Sequence, residues 1–393
     1  MSFEIALSGI NAVNNQLGSV SDNIANSGTY GFKSGRVTFA SAYAGSQAMG
    51  VNANPNSQNI GRNGGLVNTG RALDAAIDGR GFYVSRSVAG AVSYSRVGIF
   101  DTDKEGYLVD NYGGRVQGYA QAEGGALGAL GDIQIPIGNI AAKPSDQLKY
   151  SGNMSAGWAV QTVPFDKGVS QSFNHSTVSP VYDSLGNKHN LTQYFCKSAD
   201  STITVHYQLD DKMLPATTDL KFDTAGKMTQ PTAAVDLDLG TPAGANALKV
   251  AVDYSGTTQF AGEPSTVRNA ANGYPPGART GVSLGENGEV IVSYSNDQKQ
   301  VVARLAIANF ANQGALTAAS QTSWQESSAS GPALLSPAGS NMAGKLVTSS
   351  LEQSNVDVTS ELVSLMTAQR NYQANTKVIS TENQVMQALM QAV

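Results

Sequence analysis

Ser2-Phe-Glu-Ile-Ala-Leu-Ser-Gly-Ile-Asn-Ala-Val-Asn-Asn-Gln-Leu-Gly-Ser-Val-Ser-Asp-Asn-Ile-Ala25 carries apolar side chains at Phe3, Ile10, Leu17 and Ile24, seven residues apart, with Ala6, Val13 and Val20 between them. That spacing is a heptad seam and predicts a helix over residues 2–25. Asn11, Asn14, Asn15, Gln16, Ser21 and Asn23 occupy the other faces, and Asn26-Ser-Gly-Thr29 supplies the residues that stop a helix. The seam side chains offer roughly 10–15 kcal/mol on burial. Ordering about 24 residues costs roughly 24–48 kcal/mol of backbone entropy, which helix hydrogen bonds offset only in part. The segment therefore needs partners beyond itself.

The other end of the chain repeats the pattern at greater length. Leu351, Val358, Leu365, Tyr372, Ile379, Met386 and Val393 are seven apart, joined by Leu362 and Met390. Asp357 is placed to cap a helix and Glu361 to favour the positive end of its dipole. From Val358 onward the helix would run roughly 50 Å. Gln369, Thr376 and Asn383 are polar seam positions, which lower stability but fix register and partner number. Amphipathic helices can cover their own domain's core or join a polymer, and pattern alone fits both. Both termini are expected to order on assembly.

Between the helices the period changes to short strand-like runs closed by Gly, Asp or Asn. Leu73-Asp-Ala-Ala-Ile77, Gly79-Arg-Gly-Phe-Tyr-Val84, Tyr94-Ser-Arg-Val-Gly-Ile-Phe100, Gly106-Tyr-Leu-Val109 and Arg115-Val-Gln-Gly-Tyr119 form one set. A second set, at 178–195, 202–209 and 247–254, follows a boundary at Ala141-Ala-Lys-Pro-Ser145. Asn272-Gly-Tyr-Pro-Pro-Gly277 then leads back to the first style, with an Asn287-Gly288 hairpin signal, Val290-Ile-Val-Ser-Tyr294 and 301–310. The expected class is α+β and multi-domain. Two heptad helices form a coiled-coil-like core, and two mainly antiparallel β domains are nested one in the other. The expected divisions are 1–26 with 352–393 as a terminal helical domain, 27–70 and 315–351 as extended arms, 71–141 with 281–314 as a middle β domain, and 142–280 as an inserted outer β domain.

A length of 393 residues suits several folded units, while 14% charged residues and 42 glycines suit β-rich ones. The net charge of −5 and the lack of a Lys/Arg cluster argue against nucleic acid as a partner. Met1-Ser-Phe-Glu-Ile5 has no basic region or cleavage site, so any export is expected to use no cleavable signal. No apolar run is long enough for a direct membrane span. Cys196, alone in its type, is expected as a buried side chain on the strand-like Leu191-Thr-Gln-Tyr-Phe-Cys196.

Several strings imitate chemistry. Asp101-Thr-Asp-Lys-Glu-Gly106 begins like a calcium loop, but Tyr112 stands at the final ligand position. Gly339-Ser-Asn-Met-Ala-Gly-Lys345 has phosphate-loop spacing, yet Leu346 replaces the magnesium-binding hydroxyl. Gly281-Val-Ser-Leu-Gly285 matches a nucleophile elbow but runs into a hairpin signal. His175, His189 and His206 are read as lacking an acid partner or metal-ligand company. No catalytic residue, cofactor or metal site is expected, and the chain is read as no enzyme.

Ser21-Asp-Asn-Ile-Ala-Asn-Ser-Gly-Thr-Tyr-Gly-Phe-Lys33 closely resembles the signature of the flagellar rod and hook axial family, with Asn23, Asn26, Tyr30, Gly31, Phe32 and Lys33 at the matching positions. Leu351-Glu-Gln-Ser-Asn-Val-Asp-Val-Thr-Ser-Glu-Leu-Val363 and Ala368-Gln-Arg-Asn-Tyr-Gln-Ala-Asn375, including Gln369, Arg370 and Tyr372, resemble the family's other terminus. Val181-Tyr-Asp-Ser-Leu-Gly-Asn-Lys-His189 is similar to the outer domain of the hook branch, and Ser295-Asn-Asp-Gln298 with 305–312 to its middle domain. The resemblance implies a layered tube with terminal helices around a channel. It also implies subunits exported unfolded by the flagellar type III apparatus and an extracellular position at the distal end of the basal-body rod. Implied partners are further copies of the chain, the distal rod, the hook cap, the hook-length control protein and the hook-filament junction protein. On this reading Phe3, Ile10, Val13, Leu17, Val20, Ile24, Val358, Leu362, Leu365, Tyr372, Ile379 and Met386 hold neighbouring subunits. The rival readings are a distal rod subunit and a secreted β-rich binding or adhesion protein with a helical stalk.

Overall fold

A computed structural model describes residues 2–44, 47–54, 57–122, 125–340 and 343–392. Helix α1 spans Ser2–Ala25 and helix α2 spans Val358–Ala392. Asp357 caps α2 as its position suggested: its Oδ1 accepts from the Thr359 and Ser360 amides at 3.0 and 3.3 Å. Leu351 is a correction to the seam. It lies buried in the strand Ser350–Glu352, paired with Leu66–Asn68, because strand pairing claims it before the cap at Asp357 lets a helix begin. Val393, the last expected seam position, lies outside the described residues.

The chain divides into two compact units, 1–137 with 281–293 and 299–393, and 138–280 with 294–298. In the first unit the strand Lys299–Asn309 is the spine. It pairs antiparallel with Arg115–Gln121, Phe82–Arg86, Glu289–Tyr294 and Leu334–Pro337. Phe82, Val84, Tyr94, Phe310 and Trp324 form an apolar cluster there, with Phe82 edge-on to Trp324 at 5.4 Å.

The segments expected as extended arms, 27–70 and 315–351, carry short paired strands. Phe39–Ala44 pairs with Gln47–Ala53, and Gly35–Arg36 with Ser57–Gln58. Thr317–Ala319 pairs with Ser323–Gln325, which joins Val92–Ser95. Ile60, Leu316 and Trp324 are buried in the aromatic cluster. Several of these strands are only two or three residues long, too short to show a period, and some partners are remote in sequence.

The second unit packs two five-stranded sheets. One is an antiparallel meander of His175–Tyr182, Lys188–Ala199, Thr202–Leu209, Lys212–Phe222 and Met228–Gln230. In the other, Gln147–Ser155 runs parallel to Lys249–Asp253 and Thr258–Phe260, and antiparallel to Ser265–Ala271. Leu148, Tyr150, Phe195, Val205, Leu220 and Val252 contribute to the shared core. A polar chain threads it: Tyr207 Oη lies 2.8 Å from both Thr218 Oγ1 and Tyr254 Oη, and Tyr254 Oη donates to Gln193 Oε1 at 2.6 Å, so that donation runs from Thr218 to Tyr207 to Tyr254 to Gln193. Each member is satisfied, so the network specifies one sheet-on-sheet packing at little cost. Cys196 is buried as expected, and burial pushes its thiol up to about 11.

The run read as one strand over 178–195 is two strands. Asp183 breaks it: its Oδ1 accepts from the Leu185 and Asn187 amides at 2.9 Å each, and Gly186 takes φ +85°. The same Asp-x-x-Gly turn recurs at Asp103, Asp110 and Asp223, each accepting from its second and fourth following amides. The calcium-like string is thus a hairpin turn, with Asp103 Oδ1 occupied by its own backbone. Ser283 of the elbow-like string lies on the strand Arg279–Leu284 and leads into a hairpin. In the phosphate-loop-like string, Asn341 and Met342 lie outside the described residues, and Lys345 starts a strand paired with Ala75–Asp78.

One histidine does have acid partners, contrary to the sequence reading. His189 Nδ1 lies 2.7 Å from Asp210 Oδ2, and Nε2 lies 3.3 Å from Asp183 Oδ2. The turn at 183–187 and the strand register bring both carboxylates onto one ring. Burial opposes the charge on His189, but hydrogen bonds to both aspartates outweigh it and raise its pKa. Burial likewise opposes the Asp183 carboxylate, while hydrogen bonds from Asn187 and His189 bring its pKa down to about 2. A raised imidazole stabilises below the ordinary value of about 6.5 and loses that contribution as pH rises through the folded value. A depressed carboxylate stabilises above about 3.9 and loses that contribution as pH falls toward the folded value. The second unit should therefore melt highest between these limits. Melting curves of the full chain against pH should show His189→Gln removing the alkaline-side decline, and a profile unchanged by the substitution would refute the bridge.

Candidate functional site

The signature at the end of α1 folds into a polar clasp inside the first unit. Asn23 is buried, accepts from the Gly35 amide at 2.7 Å, and donates to Gly35 O at 2.9 Å and to Glu361 Oε1 of α2 at 3.0 Å. Asn26 closes the helix: its Nδ2 donates to Asp22 O at 3.0 Å, and its Oδ1 accepts from Thr29 Oγ1 at 3.1 Å. Gly31 sits at φ +70°, where a Cβ would come within 3.0 Å of Val97 Cγ2, and its amide donates to Glu352 O at 2.8 Å. Phe32 is half-buried and Tyr30 exposed.

Lys33 and Glu352 form the centre of the clasp. Their side chains are both 0% exposed, with Nζ 2.6 Å from Oε1. Arg96 NH1 reaches Glu352 Oε2 at 3.3 Å. Backbone groups complete the set: Lys33 Nζ donates to Arg62 O at 2.8 Å, Gly64 N donates to Glu352 Oε1 at 2.9 Å, and Arg96 NH2 donates to Gly79 O at 2.7 Å. Burial lowers the pKa of Lys33 and of Arg96, with Glu352 opposing the shift in each. Asn355 adds three bonds, accepting from Ser34 N at 2.7 Å and donating to Asn59 O at 3.0 Å and Arg62 O at 2.9 Å. One carboxylate thus joins the segment after α1, the β body and the segment before α2.

The seam residues divide in a way the heptad pattern alone did not specify. On α1, Ala6, Ala12, Val13 and Val20 are buried, Ile10, Leu17 and Ile24 half-buried, and Phe3 exposed. On α2 Ala368 is buried, Leu365 and Ile379 are half-buried, and Val358, Leu362, Tyr372 and Met386 are exposed. The helices approach closely where α1 has no side chain, since a Cβ on Gly9 would lie 2.8 Å from Asn375 Nδ2. Gln369, Arg370 and Tyr372 lie on the exposed surface of α2, away from the clasp. Sequence reasoning missed Arg96, Glu352 and Asn355. A signal was present in Glu352, an acidic residue directly after the apolar Leu351 in a chain with few charges.

Three family models cover much of the chain. Residues 76–150 match the flagellar hook protein FlgE/F/G D1 domain, 153–274 the flagellar basal body protein FlaE D2 domain, and 347–392 the flagellar basal body rod FlgEFG protein C-terminal region. The flagellar hook protein FlgE of Salmonella typhimurium is 37% identical over 99% of both chains. The chain belongs to the flagellar hook protein family. The hook protein FlgE of Escherichia coli K12 is 35% identical over 99% of both chains, and that of Treponema pallidum 28% identical over 94% of this chain and 95% of its own. The fold is similar to the Helicobacter pylori flagellar hook protein FlgE2 crystal structure, with a TM-score of 0.54 at 16% identity over 73% of this chain and 99% of that one. Within the hook family the clasp explains why Asn23, Gly31 and Lys33 stand where they do in this chain: each makes a contact that joins the two termini.

Proposed function

We propose that this chain is a structural, non-catalytic subunit of the bacterial flagellar hook. It self-assembles into a curved, flexible, hollow tube that carries motor torque to the filament as a universal joint and lets unfolded export substrates through its channel. The observation that carries the reading is α2, whose seam residues Val358, Leu362, Tyr372 and Met386 are exposed in the single chain. A helix of 35 residues with so little of its seam covered is incomplete until other copies pack on it.

In this reading residues 1–26 and 352–393 form the coiled-coil-like polymer core, and 27–70 with 315–351 connect it outward. Residues 71–141 with 281–314 form one β domain, and 142–280 a second β domain inserted in its sequence. A rotating curved tube needs each protofilament to shorten and lengthen once per turn, which stiff inner packing and polar, sliding outer contacts allow. The subunit would sit outside the cell beyond the distal rod after type III export, meeting the hook cap, length-control and junction proteins. Among the described residues no helix is long and apolar enough to cross a membrane.

Electron microscopy of purified full-length chain under polymerising conditions, beside a version lacking 1–26 and 352–393, tests this. Curved hollow tubes from the full chain alone are expected. Straight tubes would favour a distal rod subunit. Persistent monomers, even with a cap protein, would favour a binding protein with a helical stalk.

A further inference from the structure

We propose that methionines 366, 386 and 390 of α2 form a peroxide-sensitive modification site that is open in the free subunit, shielded in the polymer, and when oxidised blocks assembly. The inference rests on the polymer reading of α2. These side chains are 54%, 58% and 78% exposed; Met49, outside the helices, is 45% exposed, and Met154 in the second unit is fully buried. Their positions matter as much as their exposure. Beyond Ile379 the heptad series continues through Asn383 to Met386 and Met390, so among the described residues these two thioethers carry the apolar seam of the last turns. Leu389 lies beside them and is exposed as well. Met366 adjoins Leu362 and Leu365 on the earlier part of the same helix.

Thioethers suit such an interface because they are flexible and polarizable, and oxidation reverses that fitness by making a polar, chiral group. A lone pair on sulfur attacks one oxygen of hydrogen peroxide, the O–O bond breaks, and an S–O bond forms. The departing hydroxide and the proton shed by the transferred oxygen make water, so sulfur loses two electrons and peroxide gains them. The usual competitor for peroxide is a thiolate. Here Cys196 is buried and its Sγ donates to Ser172 O at 3.4 Å, which leaves exposed methionines as the accessible targets, three of them on α2 and Met49 outside it. A sulfoxide can be solvated on the free helix but not between packed helices, so the penalty falls on assembly rather than on folding.

The test treats monomeric full-length chain with hydrogen peroxide, locates sulfoxide by peptide mass spectrometry, and measures the critical concentration for polymerisation. Sulfoxide at 386 and 390 should raise that concentration at least about tenfold, equivalent to about 1.4 kcal/mol. Methionine sulfoxide reductase should restore it, and preformed tubes should resist oxidation at the three positions. The triple substitution Met366→Leu, Met386→Leu and Met390→Leu should polymerise equally before and after peroxide. Unchanged assembly of sulfoxide-bearing chain would overturn the proposal, as would equal loss in the leucine variant, which would place the damage elsewhere. Absence of polymer from untreated chain would instead overturn the polymer reading, and this inference with it.

Discussion

Glu352→Ala should destabilise the first unit by about 3–5 kcal/mol, as much as truncating a buried aromatic side chain of its core. The reason is the asymmetry between making and breaking a buried ion pair. Lys33 and Arg96 are both held by this one carboxylate, and the Lys33 side chain has no exposed surface. Removing the carboxylate leaves two buried cations facing carbonyl oxygens, without the acid that pairs with both of them among the described residues. It also strips the Gly64 amide of its acceptor. Denaturant unfolding of the full chain should show the loss in the transition of the first unit and leave that of the second unchanged. A loss below about 1 kcal/mol would show that the clasp carries no more than an exposed ion pair. The same substitution should impair assembly, because the joint between helices and body would no longer hold a single geometry.

Leu365→Asp should abolish assembly while leaving the isolated chain folded. Leu365 is half-buried on α2, so the single chain can hydrate a carboxylate there at a cost of about 1 kcal/mol. In a packed polymer the same carboxylate would have neither water nor a partner, and the critical concentration should rise by at least roughly a hundredfold. Sedimentation and microscopy of the variant decide the matter. Full-length tubes from Leu365→Asp would show that the seam does not join subunits.

The helices were legible to within a residue or two because a seven-residue period and a cap such as Asp357 are local signals. Turn-bounded strands such as Phe82–Arg86 and Glu289–Tyr294 were legible for the same reason. The arms were not, since Leu66–Asn68 acquires its strand character only from Ser350–Glu352, far along the chain. His189 was misread for a related cause: Asp210 reaches it across a strand register, and no neighbouring residue announces that.

The sequence by itself determined that this protein has two amphipathic terminal helices, turn-rich β units between them, and the paired terminal signatures of its family. Periodicity, caps and turn residues act over a few positions, and a linear reading captures them. Only the tertiary structure decided which seam residues are covered, that Asp103 serves a hairpin instead of an ion, and that Lys33 meets Glu352 across 319 positions of chain. Burial and charge pairing depend on distance in space, and a contact between such remote residues leaves no local pattern in either one's neighbours.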